Sequence, residues 1–162
     1  MLKHTGTQIV FQEVPGEVSL AINLSLCPHH CTDCHSPELQ TDIGEVLNYK
    51  ELERLIEPHK DEVSCIVFMG GDNDVWELYG CAKFVRQQFN KKTCWYSGRD
   101  TISDRVPWHH AWDYIKLGHY DPACGGLDKR TTNQRMWEYN PCYSDVGRFG
   151  KCWRDITSKF WE

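Results

Sequence analysis

The residues that most limit what this chain can become are Cys27-Pro-His-His-Cys31-Thr-Asp-Cys34. Three thiols spaced this closely cannot serve as three separate core positions. A short loop can aim all of them at one point, which describes a metal or cluster site. The spacing Cys-x3-Cys-x2-Cys is uneven, and no fourth cysteine follows at close range. A structural zinc site is closed by four protein ligands, and an ordinary [4Fe–4S] centre also takes four thiolates. Three thiolates on a four-iron cluster leave one iron open to an outside ligand. A zinc site that borrows His29, His30 or His35 as its fourth ligand is the other reading of the same loop.

The loop has a defined attachment. Val18, Leu20, Ile22, Leu24 and Leu26 alternate with Ser19, Ala21, Asn23 and Ser25, which is a strand signal running straight into Cys27. Ligand sites in α/β sheets lie at the carboxyl ends of strands. Asn48 followed by Glu51 predicts a helix start, Tyr49, Leu52, Leu55 and Ile56 keep helical spacing, and Pro58 marks the end. Ser64–Met69 is a short apolar run that predicts a strand buried on both faces. Gly70-Gly71 follows it.

Asp74, with Glu77 three residues on, predicts a second helix whose stripe is Val75, Leu78, Tyr79, Ala82, Val85 and Phe89. Thr93–Tyr96 and Trp112–Leu117 predict two further strands, ended by Ser97-Gly98 and Gly118. Residues 99–111 carry no clear signal. Strand alternating with helix predicts a parallel sheet. From Tyr120 onward glycines and prolines break the pattern, so an irregular tail is expected, ending in a strand around Cys152 to Ile156. There are no repeats or linkers, and 162 residues suffice for a single domain with a real core.

Composition narrows the function classes. A formal charge of −5 argues against a nucleic-acid face, which is usually basic. Met1 to Gln12 lacks the apolar core of a signal peptide, and no stretch could span a bilayer. Nine cysteines would leave one unpaired in an oxidising compartment, so a reducing cytoplasm is expected. Cys65, Cys81 and Cys94 read as small core residues. Cys124, Cys142 and Cys152, in the tail, fit no compact metal motif and read as free thiols. Seven tryptophans and seven tyrosines read as core packing, although aromatic surfaces also dock partners.

The cysteine triplet resembles the signature of the radical S-adenosylmethionine (SAM) enzymes. Cys34-His-Ser-Pro-Glu-Leu39, Gly70-Gly71-Asp72, Trp95-Tyr-Ser-Gly98, Asp113-Tyr-Ile-Lys116 and Thr132-Asn-Gln-Arg135 are similar, more narrowly, to the activating proteins of anaerobic ribonucleoside-triphosphate reductase. The likeness runs in order from about Val18 to Trp137. It implies a shortened, open (β/α) barrel with mostly parallel strands. Cys27, Cys31 and Cys34 would hold a [4Fe–4S] cluster whose fourth iron binds SAM.

The same resemblance assigns further contacts. His35 would meet SAM through its backbone. Asp33 replaces the aromatic or glycine common before the third cysteine; it leaves the adenine contact open, and its charge should make the cluster harder to reduce. Gly70-Gly71-Asp72 resembles a Gly-Gly-Glu-type motif that holds the methionine amino group; alone, a Gly-Gly pair is only a turn. Ser97 would bind ribose, or merely make a turn with Gly98. Lys116 would bind the SAM carboxylate, or lie as a solvated charge. Asp113 would pair with Lys116 or end its strand. Asn133-Gln134-Arg135 would shape the site mouth or meet the partner.

The implied partners are the large subunit of an anaerobic ribonucleotide reductase, as protein substrate, and a small reducing protein as electron donor. A different glycyl-radical enzyme or a small molecule is the alternative substrate. A non-enzymatic zinc or iron–sulfur module is the alternative class.

Overall fold

A computed structural model describes residues 1–162. The strands are β1 (Lys3–Val10), β2 (Ser19–Leu24), β3 (Glu45–Val46), β4 (Cys65–Met69), β5 (Lys92–Tyr96), β6 (Tyr114–Leu117), β7 (Arg135–Tyr139), β8 (Val146–Gly147), β9 (Gly150–Lys151) and β10 (Trp153–Asp155). The helices are α1 (Tyr49–Ile56) and α2 (Val75–Phe89). All strands but β8 and β9 form one sheet in the order β10-β7-β6-β5-β4-β2-β1-β3, and β8 and β9 make a separate hairpin.

The parallel part is β2-β4-β5-β6. Around it β1, β3, β7 and β10 pair antiparallel. The expectation of mostly parallel strands is therefore corrected: parallel pairing is confined to the centre, and the sheet is open. The tail is also more regular than expected, since β7 and β10 extend the sheet. β10 falls where a terminal strand is expected, around Cys152 to Ile156; β7 is the addition that no local period announces. β1 likewise carries no local signal: Lys3-His-Thr-Gly-Thr-Gln has no apolar alternation, and β2 supplies its ladder.

Local signals set the rest. The Asn48 side chain accepts from the Glu51 amide at 2.9 Å, and Asp74 accepts from the Glu77 amide at 3.2 Å; these are side-chain caps of the first turn. Pro58 falls in a 3₁₀ turn that follows α1. Both helices lie on one face of the sheet, where Leu52, Ile56, Leu78 and Val85 join Leu20, Ile22, Ile66, Phe68 and Ile115 in the larger core. Trp95, Trp108 and Trp112 are packed together in it, with Trp95 and Trp112 stacked at 5.7 Å. Trp76, stacked on Trp108, stands in solvent and is 66% exposed. The opposite face carries a smaller cluster that includes Cys65, Val67, Cys94, Tyr114 and Met136. Cys65, Cys81 and Cys94 are buried, as small core residues. No helix is long and apolar enough to cross a membrane.

Parallel register brings the strand ends into line. Asn23, Met69, Tyr96 and Lys116 form one row across β2, β4, β5 and β6. The loops that leave these strands therefore all emerge at one carboxyl edge.

Candidate metal centre

The cysteine loop leaves β2 through Leu26, a non-glycine residue in the left-handed region at φ 61°. Its amide donates to Thr41 O at 3.2 Å, and the Cys27 amide donates to Leu39 O at 2.9 Å. These bonds turn the chain sharply out of the sheet and set the base of the loop. Cys27, Cys31 and Cys34 are all partly exposed and unpaired. Burial pushes the Cys27 thiol up; a contact to the His29 carbonyl opposes this, and the Asp72 carboxylate and the two neighbouring thiols reinforce it. Asp33, at φ 56°, and His35 are exposed, and His35 lies against Tyr120 with ring centroids 4.9 Å apart.

The donor set fits a cluster: three thiols on one loop, with no fourth cysteine near them in sequence. Two of the three nearby imidazoles have partners of their own: His29 contacts Asp72 at 3.1 Å and His30 contacts Gln40 at 3.1 Å.

The loop after β4 brings Gly70 and Gly71, at φ 114° and 96°. Both conformations strongly favour glycine. A Cβ on Gly71 would lie 2.6 Å from Leu78 Cδ2 and 3.1 Å from Leu24 Cδ1, and one on Gly70 would lie 3.2 Å from Leu24 O. The pair thus lets the β4 loop press against the end of β2 from which the cysteine loop departs. Asp72 follows, 4% exposed. Its carboxylate accepts from Ser97 Oγ at 2.6 Å, the Gly98 amide at 2.8 Å and His29 Nε2 at 3.1 Å. Arg99 Nε approaches it at 3.5 Å.

Ser97 is buried, and its hydroxyl donates to Asp72 and accepts from the Arg99 amide at 3.0 Å. The ribose contact expected of it would have to use the remaining lone pair of this hydroxyl. Lys116 is buried rather than solvated. Its ammonium donates to Ser97 O at 3.1 Å and Gly118 O at 2.7 Å, leaving one N–H. Burial lowers Lys116 to about 8, against the opposing pull of Asp72, Cys31 and Asp100. Asp113 pairs with Arg86 at 2.7 Å, not with Lys116. In the Asn-Gln-Arg block, Asn133 Nδ2 donates to His119 O at 3.0 Å and Gln134 Nε2 to Gly118 O at 3.4 Å. It braces the loop after β6.

Four loops thus meet at the carboxyl edge. A cavity of about 390 Å³ opens there between Pro28, Cys31, Gly98, Arg99 and His119. A second, of about 820 Å³, lies on the face away from the helices and includes Met69, Tyr96, Gln134 and Phe160. Arg99 and His119 carried no sequence signal, because both sit in turns with no period.

The chain matches the model of the family described as 4Fe-4S single cluster domain over residues 15–106, more than half its length. No curated protein matches it, and no solved structure matches it. The matched span contains the cysteine loop, Gly70-Gly71-Asp72 and Ser97. By that match this chain belongs to the 4Fe-4S single cluster domain family and is an iron–sulfur protein.

Proposed function

We propose that this protein is a radical SAM activating enzyme for anaerobic ribonucleoside-triphosphate reductase. The observation that carries the reading is a three-thiol loop at the end of a central parallel strand, with no fourth cysteine near it in sequence and with His29 and His30 hydrogen-bonded elsewhere. Cys27, Cys31 and Cys34 would hold the cluster through three of its irons. When bound, the [4Fe–4S] cluster supplies one electron that splits the sulfonium of SAM into methionine and a 5′-deoxyadenosyl radical.

The chain's own residues bind, orient and exclude water. Gly70 and Gly71 let the cofactor approach main chain. The remaining N–H of Lys116 meets the SAM carboxylate. His35 contributes through its backbone beside Cys34, and Asp33 sets charge next to the cluster. The chemistry supplied at this site would remove one hydrogen atom from a glycine Cα of the reductase large subunit, giving a glycyl radical on the partner and 5′-deoxyadenosine at the site. A small reducing protein delivers the electron. No side chain need act as acid or base, but a partner backbone must reach the site closely and in orientation. The parallel strands β2, β4, β5 and β6 are read as the surviving part of a (β/α) barrel. Its open side, with the 820 Å³ cavity, leaves room for a protein segment.

Anaerobic reconstitution tests the reading. The protein is mixed with SAM, a reductant and the large subunit, and electron paramagnetic resonance looks for a glycyl doublet. A doublet supports it. Formation of 5′-deoxyadenosine with no doublet moves the assignment to another substrate.

A further inference from the structure

We infer that Asp72 is a positioning residue for the cluster loop, acting through His29, rather than the ligand of the methionine amino group that the sequence suggests. This rests on the part of the reading above that makes Cys27, Cys31 and Cys34 cluster ligands, and not on what the cluster does.

An ionised carboxylate offers about four lone-pair sites, and Asp72 already accepts three hydrogen bonds. Oδ1 accepts from Ser97 Oγ at 2.6 Å, with the Arg99 Nε charge 3.5 Å away as an ion pair without a hydrogen bond. Oδ2 faces the Gly98 amide at 2.8 Å and His29 Nε2 at 3.1 Å. The group is buried, and its hydrogen bonds all go to the protein itself. Two of the donors come from the loop after β5. That loop is itself fixed, since the Ser97 amide donates to Lys116 O at 2.9 Å and Arg99 Nη2 returns to Asp72 O at 3.0 Å.

The third donor belongs to the cysteine loop. His29 lies midway between Cys27 and Cys31, and its ring is seated on Gly98, where a Cβ would come within 2.7 Å of Cδ2. The other bonds that hold this stretch are to residues 38–41 of the same connection or internal to the loop. The Asp72–His29 contact is therefore a side-chain tie from the loop to the sheet edge. Ligand constellations work only when held within about 0.5 Å of the productive geometry by such supports. Losing one partner of a buried, charge-assisted bond removes that support and leaves the other unpaired.

The test uses the full chain, reconstituted anaerobically, and follows iron loss to an excess of a ferrous chelator together with the spectrum of the reduced cluster. Asp72→Asn, Asp72→Glu and His29→Ala are each expected to lose iron about tenfold faster than the parent chain. The double variant Asp72→Asn/His29→Ala should be no faster than either single change, and His29→Gln, which restores a donor, should recover most of the parent rate. Asp72→Glu is the decisive variant. A longer arm overshoots the three donors already in place, but it would suit a cofactor ligand. Parent-like iron retention in Asp72→Glu with only SAM affinity altered would overturn the inference, as would additive effects in the double variant. Should the Asp72 variants fail to fold by circular dichroism, the His29 pair decides alone: a parent-like rate in His29→Ala overturns it. Absence of 5′-deoxyadenosine in the parent chain would sink the SAM reading and leave this result standing, because the chelator reads only the cluster.

Discussion

Gly98 makes room for His29: a methyl group at Gly98 would lie 2.7 Å from Cδ2 of the imidazole and 3.2 Å from its Cγ. Gly98 is not in the left-handed region, so alanine there is a purely steric change against one ring. Gly98→Ala should destabilise the protein by about 1–3 kcal/mol, the usual cost of overpacking, measured by denaturant unfolding. In a His29→Ala background the same substitution should cost less than about 1 kcal/mol, since the clash is gone.

Gly71 presents a different case, in which space and backbone act together. Its φ is 96°, and a Cβ would meet Leu78 Cδ2 at 2.6 Å. Gly71→Ala should therefore cost about 2–4 kcal/mol, from backbone strain plus overpacking. Leu78→Ala in the same chain should relieve part of that increment. A melt within 1 °C of the parent for Gly71→Ala would show that the β4 loop is placed otherwise.

Glu17 ties three strands together at the opposite end of the sheet. Its carboxylate accepts from Lys92 Nζ at 2.6 Å, Tyr114 Oη at 3.0 Å and Ser64 Oγ at 2.5 Å. Burial alone would raise the carboxyl, but the bonds from Lys92, Ser64 and Tyr114 together hold it below its ordinary value of 4.5. The folded state thus binds fewer protons than the unfolded one across that interval. The stabilisation is complete above pH 4.5 and drains away as pH falls through the folded-state value. Glu17→Gln should cost about 1–3 kcal/mol at neutral pH and flatten this acid limb. Parallel stability curves for the two proteins from pH 7 to 3 would contradict the assignment.

Asp33 adopts φ 56°, a conformation that Asp and Asn tolerate better than most side chains. Asp33→Asn should keep the loop geometry while removing one negative charge beside the cluster. The reduction potential should then rise, on the order of tens of millivolts for a unit charge under partial solvent screening. A redox titration monitored by paramagnetic resonance checks the direction; an unchanged or lower potential would place Asp33 away from the cluster's field.

The parts of this molecule that could be read from sequence are those whose cause is local. Leu20, Ile22 and Leu24 alternate because one face of β2 is buried, and Asn48 and Asp74 cap helices through amides three residues on. The cysteine spacing and Gly70-Gly71 likewise sit within a few residues of what they shape. The partners of Asp72 do not: His29 is 43 residues before it and Gly98 is 26 after it. Its role as an acceptor of these bonds is set by the parallel register of β4 and β5, not by any neighbour in the chain. Lys116 lies near the end of β6, where local alternation puts it, but its buried ammonium is matched by the Gly118 and Ser97 carbonyls turned toward it. β1 and β7 escaped notice because their hydrogen bonds come from β2 and β6.

The most direct measurement is product analysis of the reconstituted protein. Iron, sulfide and SAM are supplied without oxygen, dithionite is added, and the nucleoside is quantified by chromatography. We predict 5′-deoxyadenosine and methionine in equal amounts from the parent chain and neither from Cys31→Ala, which should stay folded without a cluster. A reducible four-iron cluster in the parent chain that leaves SAM intact would contradict the account, as would a fourth protein ligand on its last iron.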